Sequence, residues 1–425
     1  MGGDSSAYAW KAFAAICIMA VMWTGIQFNC MNLYAAPVVE DLGISRSQFM
    51  LVLSIPGVIS AAISLFCFGA IEQRIGIRKM ILVGGTLNTL SFLSWTFMNS
   101  IWMLYLGGTL YGLGCGITAY TCVSAAVNRW FKQRIGTLVG VANSLGSAAG
   151  IVFAVVIAAL IAALGWRYSF ALCAAMSALS VVVCVTLYKG SPEELGVPAM
   201  YANQAQDDGS EAQASRGKGA FIAGAAEAAA TQDLPFNQVL RTSRLWVLAL
   251  GYLLLGTATY ALMSTLPLFA LDLGYGDLQG QVVSASLFAV AAAMVPLGVL
   301  CDKLGTKWGI ALASVLMMVA ALALRATSMS FAVLMLVAIC AGASYSACGV
   351  TVGVGVKEAL GEVDFSKKLG VCSGCLYVGL ALGPAITNFF YDMTGSYSSI
   401  LLMYAVLAVA IIALFFVGMR SQRAK

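Results

Sequence analysis

The sequence predicts an all-α polytopic membrane protein: twelve transmembrane helices in two pseudo-symmetric six-helix bundles. Three observations predict it. The 425 residues are 61% hydrophobic and only 10% charged, with a mean hydropathy of +0.91. A soluble chain carries about 25% charged residues and needs them to cover its surface. The apolar residues come in long runs, such as 151–164, 312–324 and 400–417. A spanning helix needs about 20 mostly apolar residues, whereas a β-barrel would show short alternating segments. Finally, one phrase is written twice: GAIEQRIGIR from Gly69 to Arg78, and GVLCDKLGTK from Gly298 to Lys307, slightly more than half the chain later.

The runs place helices at 11–34, 48–71, 79–98, 101–127, 135–163, 168–188, 245–270, 280–301, 308–326, 331–354, 369–391 and 398–418. With both termini inside, 20 of the 23 Lys and Arg residues fall on the inner side, and only Arg46, Arg167 and Arg325 fall outside. That bias fixes the orientation and requires an even number of crossings. The expected location is the cell membrane, with cytoplasmic termini. The first apolar run, after Lys11, is too long for a removable leader. Residues 189–244 form one long inner loop between a bundle at 1–188 and a bundle at 245–425. Its Gln/Asp/Gly/Ser-rich middle predicts disorder, and 237–244 predicts a short helix leading into helix seven. Most of the twelve cysteines lie in apolar runs, where Cys behaves as a small hydrophobe. Cys372-Ser-Gly-Cys375 has redox spacing but sits inside such a run, so it reads as packing.

The two phrases occupy the loops after helices two and eight, the same place in each half. Asp41-Leu-Gly43 is echoed by Asp272-Leu-Gly274, and Gln48 by Gln279, at a common offset slightly longer than that of the phrase. Arg134-Ile-Gly136 and Gly140 are echoed by Lys368-Leu-Gly370 and Gly374, at an offset longer still. Parallel six-helix repeats about an axis normal to the membrane are a transporter architecture, with the solute site near midplane between the halves.

On these phrases the chain resembles the major facilitator superfamily from end to end. The family's loop signature is matched by Gly298, Leu300, Asp302, Lys303, Gly305 and Lys307. The first copy keeps Gly69, Arg74, Gly76, Arg78 and Lys79 but has Gln73 where the family has Asp. EDLGISRSQF (40–49), YGLGCG (111–116), RWFKQRIG (129–136), GWRYSF (165–170) and GP…YDMTGSY (383–397) are similar to the monocarboxylate-porter and oxalate/formate-exchanger branches. The resemblance implies a latch. The loop Asp meets the positive end of a neighbouring helix and nearby arginines when the inner side is closed. Asp302 fits that role and Gln73 fits it only weakly. The gating residues expected are Asp302, Lys303, Arg74, Arg78 and Arg129. The competing reading is that the basic residues only enforce topology.

All 18 acids lie in loops or at helix ends, and there is no histidine. Intramembrane Asp, Glu and His are the usual parts of proton relays, so none can be built at midplane. Helices eight and eleven, as bounded above, carry no Lys or Arg, where the resembled branches often hold a basic partner for a substrate carboxylate. What remains is polar: Asn29 on helix one, Asn143 on five, Tyr260 and Ser264 on seven, Tyr345 on ten and Tyr377 on eleven. These are the candidate solute-binding residues, and interhelical hydrogen bonding is the alternative. Glycines at four-residue spacing on helices four, five and eleven predict close helix approach.

The function expected is secondary transport of a small organic solute, a carboxylate or related metabolite, by alternating access, as exchange or facilitated diffusion. The alternative is a transporter-like receptor that binds without transport. Neither a catalytic constellation nor a metal set suggests itself, and no cofactor or nucleic-acid partner is expected. The partners expected are the solute and the bilayer, for a monomer. With no Asp, Glu or His at midplane, an imposed proton gradient should change initial uptake into proteoliposomes little once substrate ionisation is corrected for. Concentrative uptake driven by that gradient alone would refute this.

Overall fold

A computed structural model of the chain describes residues 2–28, 30–200, 234–275, 278–325, 330–394 and 398–419. The middle of the inner loop, where disorder is expected, and Asn29 lie outside the described residues. Helix α1 runs Gly2–Met19 and continues as a π-helix, Ala20–Phe28. After a short helix, Ala35–Leu42, α2 covers 46–75 and α3 covers 77–96. Then come α4 (Ile101–Thr118 and Tyr120–Trp130), α5 (Ile135–Leu164), α6 (Trp166–Leu187), α7 (Ser243–Asp272) and α8 (Gln279–Leu304). The last four are α9 (Thr306–Ala323), α10 (Phe331–Leu360), α11 (Phe365–Thr394) and α12 (Ser398–Gly418).

Eleven stretches of the described residues are long and apolar enough to cross a membrane, and one of them, Ser54–Thr96, is two helices. Gly76 divides it at φ +72°, and its twin Gly305, at φ +90°, divides α8 from α9. An L side chain resists that conformation, so glycine stands in both copies of the phrase. The count is therefore twelve. Phe66, Trp102, Val152 and Val155 point outward and are exposed. Such an apolar exterior suits lipid, not water.

The repeat is tighter in space than in sequence. Helix α10 follows α4 in the same register as α11 follows α5. Ile101 and Trp130, the ends of α4, answer Phe331 and Leu360, and Ile135 and Leu164, the ends of α5, answer Phe365 and Thr394. The echo of Arg134-Ile-Gly136 in Lys368-Leu-Gly370 is therefore not the structural register. Arg134 corresponds to Asp364, each the residue before its helix, at φ +57° and +51°. A π-turn at Ile63–Cys67 adds one residue to α2. For that reason the first basic phrase lies one position closer to its twin than the helices lie to theirs. Helix α11 also starts earlier than expected and takes Lys367 and Lys368 into its first turn. Lys368 is buried, and its Nζ donates to the Leu360 carbonyl at 2.5 Å. The expected helix at 237–244 is a single turn, Phe236–Val239, before α7.

The halves meet where α5 packs on α8 and α11 on α2. A Cβ on Gly140 would stand 2.5 Å from the Met294 carbonyl oxygen, and one on Gly370 would stand 2.5 Å from that of Ser64. These are twin contacts, since Gly140 answers Gly370 and Ser64 answers Met294 in the register of the helices. Backbone touches backbone because glycine offers nothing to hold it off. A Cβ on Gly298 would collide with the Gly136 carbonyl, whereas Gly280 faces open space. Gly298→Ala is expected to part α5 from α8, widening spin-label distances across that crossing. Gly280→Ala should leave the distances unchanged.

Candidate solute path and gate

Helix α4 is broken at its middle. Ala119 takes ψ −153°, and a second helical segment starts at Tyr120. The first N–H groups of any helix lack partners within it. Cys122 and Val123 turn theirs to the Ala119 carbonyl, which leaves those of Tyr120 and Thr121. Against this end lies Tyr377 of α11, its hydroxyl 3.2 Å from Thr121 Oγ1 and also beside the Thr121 backbone. The Tyr120 ring lies along Gly349 of α10, and Tyr120, Tyr260 and Tyr377 all stand near Tyr345. The Tyr260 and Tyr345 rings are 5.7 Å apart and tilted by 40°.

Several polar atoms here are buried without a hydrogen bond among the described residues: the Tyr345 hydroxyl, Ser344 Oγ and Asn143 Oδ1. Such groups cost about 1–3 kcal/mol unless something pairs with them. Asn143 spends its other end across the seam, Nδ2 donating to the Gly349 carbonyl at 2.6 Å. Ser144 Oγ likewise donates to the Ala291 carbonyl at 2.6 Å.

At the basic face the halves are held shut. Asp302 accepts from Gly136 N at 2.7 Å, Thr137 N at 2.7 Å and Thr137 Oγ1 at 2.6 Å, all at the start of α5. A carboxylate there gains from the helix dipole as well as the bonds. In the other crossing the polarity is reversed. Gln73 Nε2 donates to Asp364 Oδ1 at 3.1 Å, at the start of α11. Asp364 Oδ2 also accepts from Phe236 N at 3.1 Å. Lys132 reaches Glu362 across the seam at 3.0 Å, and Lys357 joins the same carboxylate at 2.6 Å. The Phe236 N–H, then Gln73 and Lys367, hold the Asp364 carboxyl below the usual range. Burial would raise Glu362, but Lys357 and Lys132 outweigh it and bring it down. Both carboxylates stay charged at neutral pH. Their ties are lost only as pH falls through these depressed values.

The sequence model described as "Major Facilitator Superfamily" matches residues 12–285 and 248–425. The chain belongs to the major facilitator superfamily. It is 21% identical over 325 residues to the Escherichia coli "Uncharacterized MFS-type transporter YhjX", across 76% of this chain and 73% of that protein. It is 31% identical over 121 residues to rat "Monocarboxylate transporter 13", across 28% of each. The crystal structure of the superfamily transporter FucP in the outward conformation matches with a TM-score of 0.69 and 13% identity, over 96% of this chain and 98% of that one.

Within this superfamily member, the sequence-predicted residues divide. Tyr345, Tyr377, Tyr260 and Asn143 come together near the α4 break. Ser264 turns its hydroxyl to the Ala261 carbonyl of its own helix at 2.9 Å, and Asn29 lies outside the described residues. Asp302 reaches the second half's latch position, while Lys303 is exposed beside it. Arg74, Arg78 and Arg129 do not meet the latch. They gather instead around a cleft in the first half, where Arg129 pairs with the buried Glu72. Thr121 and Tyr120 are visible in the sequence as polar residues on helix four, but the break that gives them their place is not, because no glycine or proline marks Ala119. Sequence reasoning missed Asp364, whose role follows only from the helix register that sets it opposite Arg134. Asp302→Asn should speed maleimide labelling of a cysteine at Ser144, in a cysteine-depleted background, by roughly tenfold. Gln73→Ala, which loses one neutral donor, should change it less. Equal labelling in both variants and the parent would contradict the latch.

Proposed function

We propose that the protein is a secondary transporter of a small organic carboxylate or closely related metabolite, working by alternating access as an exchanger or facilitator. It sits in the cell membrane with both termini cytoplasmic. The observation that carries this reading is the broken α4. A carboxylate carrier needs positive potential at midplane, and the spans supply no Lys, Arg or His there. The start of the Tyr120–Trp130 segment offers it instead. Its N–H groups, unused within the helix, and its dipole favour an anion by about 0.3–1 kcal/mol, and more when partly buried. Half-helix N-termini meeting anionic substrate groups are a recurrent transporter device.

Around that end, Tyr345, Tyr377 and Tyr260 supply hydroxyl donors, and Asn143 supplies an amide. The partial identity to a protein named a monocarboxylate transporter supports the same solute class. In this reading the solute binds from one side while the basic face is latched. The Asp302 and Asp364 ties then release so that the halves rock about their glycine crossings.

The test is uptake into proteoliposomes of a panel of labelled monocarboxylates and their carboxamides. Carboxylates should be carried and the matched amides should not. Tyr345→Phe removes a hydroxyl that lies beside the Tyr120 hydroxyl but pairs in hydrogen-bond geometry with nothing among the described residues. It should therefore raise the KM by roughly tenfold or more while the melting temperature holds, since a hydrogen bond to a charged group is worth about 1.5–3 kcal/mol. A fall in stability with unchanged KM would show that the hydroxyl is interhelical glue. Equal uptake of acids and amides would sink the carboxylate reading.

A further inference from the structure

The basic face of the first half holds a cleft of about 490 Å³ that the transport reading does not use. Five cations line it: Arg74, Arg78 and Lys79 from the turn between α2 and α3, Arg129 from α4, and Lys189 after α6. Two carboxylates share it, Glu72 and Glu194. Glu72 is buried and bound to Arg129, which also stands 3.9 Å from the exposed Glu193, so Arg129 adds no free positive charge. Glu194 closes its own local turn, Oε2 accepting from Ser191 N at 3.0 Å. Arg78 is steadied by donating Nε to the Val185 carbonyl at 3.3 Å. Arg74 and Lys79 make no ion pair among the described residues.

The internal repeat supplies a control. In the second half the corresponding positions are Lys303, Lys307, Trp308, Ala359 and, counted from the ends of α6 and α12, Arg420, three cations against five. Holding the topology therefore does not require the cluster. The helix starts differ as well. In the second half, Thr306 N, at the start of α9, donates to Glu358 Oε2 at 2.8 Å. The counterpart of Glu358 on α4 is Asn128, which is neutral, so the start of α3 receives no such carboxylate from α4. Tyr188 also lines the cleft. It is 1% exposed, and its hydroxyl makes no hydrogen bond among the described residues. The Trp130 indole N–H lies beside it, but neither group pairs in hydrogen-bond geometry.

We propose that this cleft binds a phosphate group. Excess positive charge, guanidinium groups suited to bidentate contact, and a helix start that receives no carboxylate from α4 converge there. The volume exceeds that of a bare ion and suits a phosphate with a small organic body. The phosphate belongs either to a soluble phosphorylated compound or to an anionic lipid headgroup. Glu194, whose Oε1 would stand 3.6 Å from a Cβ on Gly76, is the internal group that such a ligand displaces.

The test measures melting of the whole purified protein in two arms. In the first, delipidated protein in detergent is titrated with inorganic phosphate or glycerol phosphate against chloride at equal ionic strength. In the second, nanodiscs of phosphatidylglycerol are compared with nanodiscs of phosphatidylcholine. A saturable rise with the soluble phosphates assigns a soluble ligand. A rise in phosphatidylglycerol alone assigns the headgroup. In either case Arg74→Gln/Lys79→Gln should weaken the response roughly tenfold. Lys189→Gln should weaken it too if the double variant does not fold. Glu194→Gln should strengthen it, and Lys307→Gln in the twin loop should leave it unchanged. No rise in either arm, or the same rise in the parent and in Arg74→Gln/Lys79→Gln, overturns the proposal.

Discussion

Two backbone-on-backbone crossings hold this molecule together, α5 on α8 and α11 on α2, and everything else is arranged around them. They are possible because Gly140, Gly298 and Gly370 carry no side chain at the point of contact. In lipid no hydrophobic force drives one apolar helix onto another, so close packing and interhelical hydrogen bonds must do it. The Asn143 and Ser144 bonds to carbonyls of α10 and α8 follow from that closeness. Because the same contact is made twice, once by each half's glycine helix, the halves meet through near-equivalent surfaces. Such a joint can rock without either half deforming.

The charges laid over this symmetric joint are not symmetric. In one crossing the loop after α8 brings the acid, Asp302, to the start of α5. In the other the acid, Asp364, belongs to the helix start, and the loop brings only the Gln73 amide. The missing Asp of the first phrase has not simply been lost, since a carboxylate stands on the opposite side of the same seam. Both bond sets end on an ionised carboxylate, but Asp302 accepts three bonds from the start of α5 while Asp364 accepts one from Gln73, so the two latches differ in strength. Phe236, just ahead of α7, adds its N–H to Asp364. The connection between the halves thereby takes part in the weaker latch.

The fold was legible because its signals are local and repeated. Hydrophobic run length, the Lys/Arg bias and the twin phrases each follow from one physical rule about the bilayer. Helix ends were less so: α11 begins at Phe365 rather than 369, because Lys368 can bury its stem and still reach a carbonyl. The register of the repeat was misread at Arg134 for a different reason. Arg-Ile-Gly and Lys-Leu-Gly look alike in letters, but the turn needs its positive φ at Arg134 and Asp364. Of the central site, the tyrosines and Asn143 could be named as isolated polar residues in apolar runs. The break at Ala119 could not, since alanine is the best helix former and only tertiary packing bends the chain there. Arg74, Arg78 and Arg129 were recognisable as a functional class of residue. Only the folded chain shows them around a common cleft.

The segment Tyr120–Trp130 has a mechanical consequence. It is an eleven-residue rod, about 16 Å long at the rise of an α-helix. Its upper end is detached from the rest of α4 at Ala119 and borders the tyrosine cluster. Its lower end carries Arg129 in the ion pair with Glu72, and Trp130, whose carbonyl accepts from Met200 N at 2.8 Å. Two residues further on, Lys132 crosses to Glu362. A tilt of the rod would therefore move Arg129 and Trp130 together, next to the bend from which Lys132 reaches the other half. The centre and the basic face are joined by a lever whose pivot is a single alanine.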